Sequence, residues 1–151
     1  STLMRSSAAS DVYKRQISVD IYNDFGGRLN ENISEIVSII TDGKYNDVKL
    51  DENMHISVFD DDHYMPIEFL SSGTIEQIYL AVRLCIAGLL CKDRMPIIVD
   101  DIFTAYDEHR LKNALYCMSR IDTDQVIIFT SNNAIGDMLD DLSMEYNYVE
   151  L

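Results

Sequence analysis

From about Ser18 to Asp42, apolar residues return every three or four positions: Ile21, Phe25, Leu29, Ile33, Ile36, Val37 and Ile40. That spacing puts them on one face of a helix, with Gly43 as a C′ stop and the Gly26-Gly27 pair as an internal weak point. The period then shortens. Asp47 to Leu50, His55 to Phe59 and Tyr64 to Glu68 predict a small antiparallel β element with acidic turns at Asp51-Glu52-Asn53 and Asp60-Asp61-Asp62. A second helix follows over Ile75 to Leu90, with Ile78, Val82, Cys85 and Leu89 on one stripe. Beyond it the pattern reads strand, helix, strand, helix, strand: Ile97 to Val99, Glu108 to Ser119, Val126 to Thr130, Ala134 to Leu142 and Glu145 to Val149. The unbroken apolar runs Ile97-Ile98-Val99 and Val126-Ile127-Ile128-Phe129 suit a sheet buried on both faces. The expected fold class is α/β: a mostly parallel sheet flanked by helices, plus the small antiparallel element.

Ser6 to Gln16, Ser-Ser-Ala-Ala-Ser-Asp-Val-Tyr-Lys-Arg-Gln, resembles a translated transposase adapter used in DNA library preparation. Residues 1–16 are therefore set aside as a non-native tail, and the native reading is expected to begin near Ile17 in mid-gene. The remaining stretch is one domain's worth of chain, enough for a genuine core.

Charge narrows the function. The chain carries 12 basic and 26 acidic residues, and without Arg5, Asp11, Lys14 and Arg15 the balance is 9 against 25. Such a surface repels phosphate backbones, so direct grip on nucleic acid by this segment is not expected, and any DNA contact is left to other parts of the protein or a partner. Cys85, Cys91 and Cys117 are odd in number and lack C-x-x-C spacing, which predicts reduced, core or near-core thiols of a cytoplasmic protein. His55, His63 and His109 form no metal-binding pattern. The apolar run from Leu84 to Leu90, bounded by Arg83 and Lys92, is too short to span a bilayer, and no membrane contact is expected.

Two short motifs carry candidate chemistry. Leu70-Ser71-Ser72-Gly73-Thr74 opens the second helix, where free backbone N–H groups, hydroxyls and the helix dipole favour an anion. The same residues also suit plain N-capping by Ser71 or Ser72. Ile97-Ile98-Val99 ends in Asp100-Asp101, a Mg²⁺ partner beside a candidate base, or else a cap on the next turn. Together they look like half of an ATP site, although the chain contains no G-x-x-x-x-G-K-[ST] phosphate loop.

With these motifs in this order, Ile17 to Leu151 resembles the C-terminal part of an ABC-type ATPase head, a P-loop NTPase lobe of the SMC, RecF and RecN group, closest to the YhaN-like AAA ATPases. The resemblance divides the chain into a helix at a coiled-coil exit (17–43), the β element (44–69) and a lobe with signature, Walker B and switch segments (70–151). It makes Leu70 to Thr74 the signature motif, with Ser72 where many relatives have Gly and Thr74 where many have Gln or Glu. It implies that Ser71, Ser72 and Gly73 contact the γ-phosphate of ATP held by a second head in a homodimer. It implies that Asp100 holds Mg²⁺ and that Asp101, where many relatives have Glu, orients or deprotonates the attacking water. Ala105-Tyr106-Asp107 falls at the D-loop, which makes Asp107 a nucleotide-side residue as well as a possible cap. Asn132, in Thr130-Ser131-Asn132-Asn133, stands at the switch position, usually His, and cannot take up a proton near neutral pH. Slow hydrolysis or an ATP-dependent clamp is the expected consequence. The missing phosphate loop would lie on an N-terminal Walker A lobe, without which this segment alone is expected to be inactive. DNA repair or chromosome maintenance is the process the resemblance suggests.

Two other readings stand beside this one. Asp100, Asp101 and the Asp60-Asp61-Asp62 turn are candidates for a carboxylate metal site cleaving phosphodiesters. An ATPase-derived interaction module without turnover, presenting its acidic face to a basic partner, is the other.

Overall fold

The computed structural model of the chain describes residues 26–90, 96–104 and 106–150. The adapter-like residues 1–16, the start of the first predicted helix with Ile21 and Phe25, and Cys91 lie outside the described residues.

Helix α1 covers residues 26–40 and turns Leu29, Ile33 and Val37 into the core with no solvent exposure. Its end is a Schellman turn one residue out of the expected register. Asp42, at φ +54, occupies the left-handed C′ position and donates to the Ile39 carbonyl, while Gly43, at φ +76, donates to the Ser38 carbonyl at 2.7 Å. Gly43 is thus C″ rather than C′. Asp is among the few residues with a side chain that enter this region readily, so the turn closes before the glycine arrives.

Strands β1 (Val48–Leu50), β2 (Ile56–Asp60) and β3 (His63–Pro66) form an antiparallel sheet in the order β1-β2-β3. Val48, Leu50, Ile56 and Val58 face α1, as the alternation predicts. The two acidic turns are built by aspartates: Asp51 Oδ1 accepts the N–H groups of Asn53 and His55, and Asp61 adopts φ +55 at the β2–β3 turn. The outer edge of β1 is satisfied from α1. Ser34 Oγ and the Asn30 amide, one helical turn apart, bond the N–H and C=O groups of Val48 and Leu50 at 2.9 to 3.4 Å.

A 3₁₀ turn, Ile67–Phe69, leads into α2 (Ser72–Leu90). One stripe of α2, with Ile78, Val82 and Cys85, joins the core under the antiparallel sheet. A second, with Leu80 and Leu84, faces another core built on β4 (Ile97–Asp100), α3 (Glu108–Ser119) and α4 (Ala134–Asp141). β5 (Val126–Phe129) runs parallel to β4 in the register Ile97↔Val126 to Asp100↔Phe129.

This sheet differs from expectation in two ways. Paired residues of a parallel sheet share a face, so Ile97, Val99, Val126 and Ile128 pack inward while Ile98, Asp100, Ile127 and Phe129 share the other. That face is uncovered: Ile98 is 64% and Phe129 44% exposed. An apolar run reports what a strand tolerates on both sides, and here only one side has a layer packed on it. Glu145 to Val149 is not a strand; Tyr148 and Val149 are each 74% exposed. Its alternation is real, but no ladder among the described residues receives it, and an extended segment without a neighbour gains no sheet hydrogen bonds.

Candidate functional site

The head of α2 is an N-cap built from its own sequence. Ser71 Oγ accepts the Thr74 N–H at 3.3 Å and lies 2.8 Å from Thr74 Oγ1, while the Ser71 carbonyl receives the Ile75 N–H at 3.0 Å. Thr74 is buried, which fixes the cap from the inside and leaves Ser71 and Ser72 at the surface. The N–H groups of Ser72 and Gly73 have no intrahelical acceptor at this position and point along the helix dipole toward solvent. Phe69 stands 78% exposed just before the cap, in a turn held by the Leu70 N–H on the Ile67 carbonyl at 2.9 Å and anchored by buried Ile67. Capping and anion presentation are thus served by the same residues.

Asp100 ends β4 on the uncovered face and is exposed. Asp101 turns away from the strand with φ +46, in the left-handed region. Its N–H carries the ladder one step further by donating to the Phe129 carbonyl at 2.9 Å, and Ser131 Oγ donates to its Oδ1 at 3.4 Å. The strand ends therefore bring together Asp101 and Ser131. Asn132, the residue picked out by position, accepts the Ala134 N–H on its Oδ1 at 3.0 Å, at the start of α4. Ser131 stands one residue before the positional match and is not singled out by the motif. The parallel register, which sets the residues after Asp100 and Phe129 side by side, was the signal that finds it.

Phe103 and Tyr106, after Asp101, join the core that Leu80 and Leu84 of α2 face. Tyr106 donates its N–H to the Phe103 carbonyl at 3.1 Å, and the two rings meet edge to face at 5.6 Å. Burial, and after it the Glu76 carboxylate, raise the Tyr106 hydroxyl pKa above the ordinary phenol range. Asp107 is the N-cap of α3, with Oδ1 on the Arg110 N–H at 2.9 Å and Oδ2 3.3 Å from Arg110 Nε. Ala105 lies outside the described residues. No hydrogen bond among the described residues joins Ser71, Ser72 or Gly73 to Asp100 or Asp101.

The residues fit a cation held mainly by a ligand rather than by the protein. Among the described residues no group of three or more His, Cys, Asp and Glu side chains could hold a metal ion, so Asp60-Asp61-Asp62 and Asp100-Asp101 do not assemble into a carboxylate cage. Mg²⁺ on one or two carboxylates, with phosphate oxygens and water completing six ligands, needs no such cage. The histidines pair with exposed aspartates: His55 with Asp51 at 3.1 Å, His63 with Asp62 at 2.7 Å and His109 with Asp42 at 3.0 Å. Hydrogen bonding to Asp62 raises the His63 pKa. Two grooves, one between α1 and β1 along Asn30, Ser34 and Lys49, the other along Asp140 to Tyr148, lie away from all these motifs. The motif residues sit instead on open surface. No helix among the described residues is long and apolar enough to cross a membrane.

No family model matches the chain. It is 30% identical over 116 residues to the uncharacterized protein YhaN of Bacillus subtilis (strain 168), a match covering 73% of this chain and 12% of that protein. The SMC head domain from Thermotoga maritima superposes with a TM-score of 0.56 at 17% identity, over 82% of this chain and 44% of that one. A structure from work on ATP-driven dimerization and DNA-stimulated activation of SMC ATPases superposes with a TM-score of 0.64 at 20% identity, over 81% of this chain and 78% of that one. The fold is that of part of an SMC head domain, and the sequence is similar to YhaN over the matched stretch. The chain spans about an eighth of the length of YhaN.

Proposed function

We propose that the chain is the signature and Walker B side of a Mg²⁺-dependent ATPase head that works as a dimer, with the phosphate loop on a separate N-terminal lobe. The observation that supports this most is the pair of exposed motif ends in an SMC-type fold: a capped helix start at Ser71 to Gly73 and a carboxylate pair, Asp100-Asp101, at a strand end. Among the described residues no hydrogen bond joins one to the other, which suits a site completed by a second head. In this reading the Ser71 hydroxyl and the Gly73 N–H bind the γ-phosphate of ATP carried by the partner, and preorganised donors of this kind are each worth roughly 10²- to 10³-fold in rate. Asp100 holds Mg²⁺, which supplies charge neutralisation to the phosphates when bound. Asp101 orients and deprotonates the attacking water, and Ser131 steadies its carboxylate. Asn132, whose Oδ1 receives the Ala134 N–H, cannot take up a proton at the switch position, so turnover is slow. DNA repair or chromosome maintenance is the setting this reading assigns. With a net charge of −14, the chain leaves DNA to other parts of the protein.

Asp101→Asn in the full-length protein tests the assignment. ATP binding should persist while turnover falls by about 10² or more, since a general base contributes roughly 10²- to 10⁴-fold. Unchanged turnover removes Asp101 from that role.

A further inference from the structure

Gln77 is fully buried in the second turn of α2, and neither its amide nitrogen nor its amide oxygen has a hydrogen-bond partner. The buried Tyr106 hydroxyl also lacks one. These orphaned groups belong to one region. Gln77 precedes Leu80 and Leu84 by three and seven residues, on the stripe of α2 that faces the core of β4, α3 and α4. Tyr106 packs against that same core, and its hydroxyl lies near enough to Glu76, the neighbour of Gln77, to feel its charge. A buried amide or phenol without a partner destabilises the fold that holds it, and native proteins leave few of them. The signature helix thus carries one donor-acceptor amide and the segment after Asp101 one hydroxyl, and each is able to satisfy the other.

We propose that Gln77 is a positioning residue: on ATP-driven engagement of two heads its amide takes up the Tyr106 hydroxyl and locks Phe103 and Tyr106 against α2. The hydrogen bond is absent from the resting arrangement and forms in the engaged one, so its free energy favours the state in which Asp101 and the signature act together. This rests on the ATPase reading above and adds to it a residue that touches neither nucleotide nor metal.

Gln77→Met keeps length and approximate volume while removing both polar atoms, and Tyr106→Phe removes only the hydroxyl. In the full-length ATPase each variant should lower kcat about ten-fold with KM unchanged, and the double variant should fall no further than either alone, because coupled residues lose one shared interaction. In the chain itself each variant should melt at the same temperature as wild type or higher, since it deletes an unsatisfied buried group. A lower melting temperature with kcat falling in parallel assigns Gln77 a merely structural role and overturns the proposal. Unchanged kcat, or losses that multiply in the double variant, overturns it equally. Wild-type protein without ATP turnover refutes the function proposed above and this inference with it, whereas wild-type turnover that ignores both substitutions refutes this inference alone.

Discussion

Single residues here serve local structure and candidate chemistry at once. Ser71 caps α2 and presents its hydroxyl at the helix start; Asp107 caps α3 beside the Tyr106 turn; Asp101 takes the left-handed conformation that ends β4 and receives Ser131. The two kinds of role separate experimentally, because a cap acts on folding without nucleotide. Asp107→Ala should destabilise the chain in urea by about 1 kcal/mol, the ordinary value of an N-cap, and Asp107→Ser should restore most of it because a hydroxyl also accepts the Arg110 N–H. A stability loss on Asp107→Ala that Ser fails to recover would place its value in the Arg110 ion pair instead. The thiols are a simpler case: burial, followed by Cys117 and Glu35, pushes Cys85 up to about 12, and burial with Glu35 pushes Cys117 up to about 11, so both are inert core groups.

At the scale of elements, local pattern was the readable part. α2, α3, β4 and β5 fall within a few residues of the positions their apolar spacing predicts, because each is specified by its own stripe or run. What failed needed information from elsewhere in the molecule. Glu145 to Val149 alternates like a strand but has no ladder to join among the described residues, and Ile98 and Phe129 are apolar yet exposed on a face that no described element covers. The candidate site divides the same way. Ser71 and the Asp100-Asp101 pair could be found as motifs, whereas Ser131 depends on the β4–β5 register and Gln77 on which stripe of α2 meets which core. The α1–β1 contact is another feature hidden from pattern, since Asn30 and Ser34 read simply as the polar side of an amphipathic helix. They occupy the edge of β1 and deny it to another strand. Replacing both by Ala should cost roughly 1–3 kcal/mol per backbone group left unpaired and buried, and should raise strand-mediated aggregation. Urea unfolding and a thioflavin assay check the two effects separately, and wild-type behaviour in both would show that water satisfies the edge as well.

Over the whole molecule, two surface properties oppose each other. A net charge of −14 makes copies of the chain repel, while the face of β4 and β5 bearing Ile98, Ile127 and Phe129 offers apolar area that burial would favour. Charge repulsion between exposed groups weakens as the screening length shrinks, from about 30 Å at 0.01 M salt to about 8 Å at 0.15 M. Apolar attraction is not screened. The chain should therefore be monomeric at low ionic strength and self-associate as salt rises, opposite to the behaviour of an ion-paired interface. Light scattering and sedimentation across a salt series measure this directly. Ile98→Thr with Phe129→Thr, both at positions already exposed, should leave the fold intact and abolish the salt-induced association. Association that survives both substitutions would assign it to another surface, and association that weakens with salt would mean that charge pairing, rather than this face, joins the copies. The same competition bears on the proposed ATPase. A lobe packed over Ile98 and Phe129 would cover the apolar area that drives self-association, while Asp100, on the same face, would stand at the rim of that contact, where the carboxylate is placed to meet a nucleotide held by the arriving lobe.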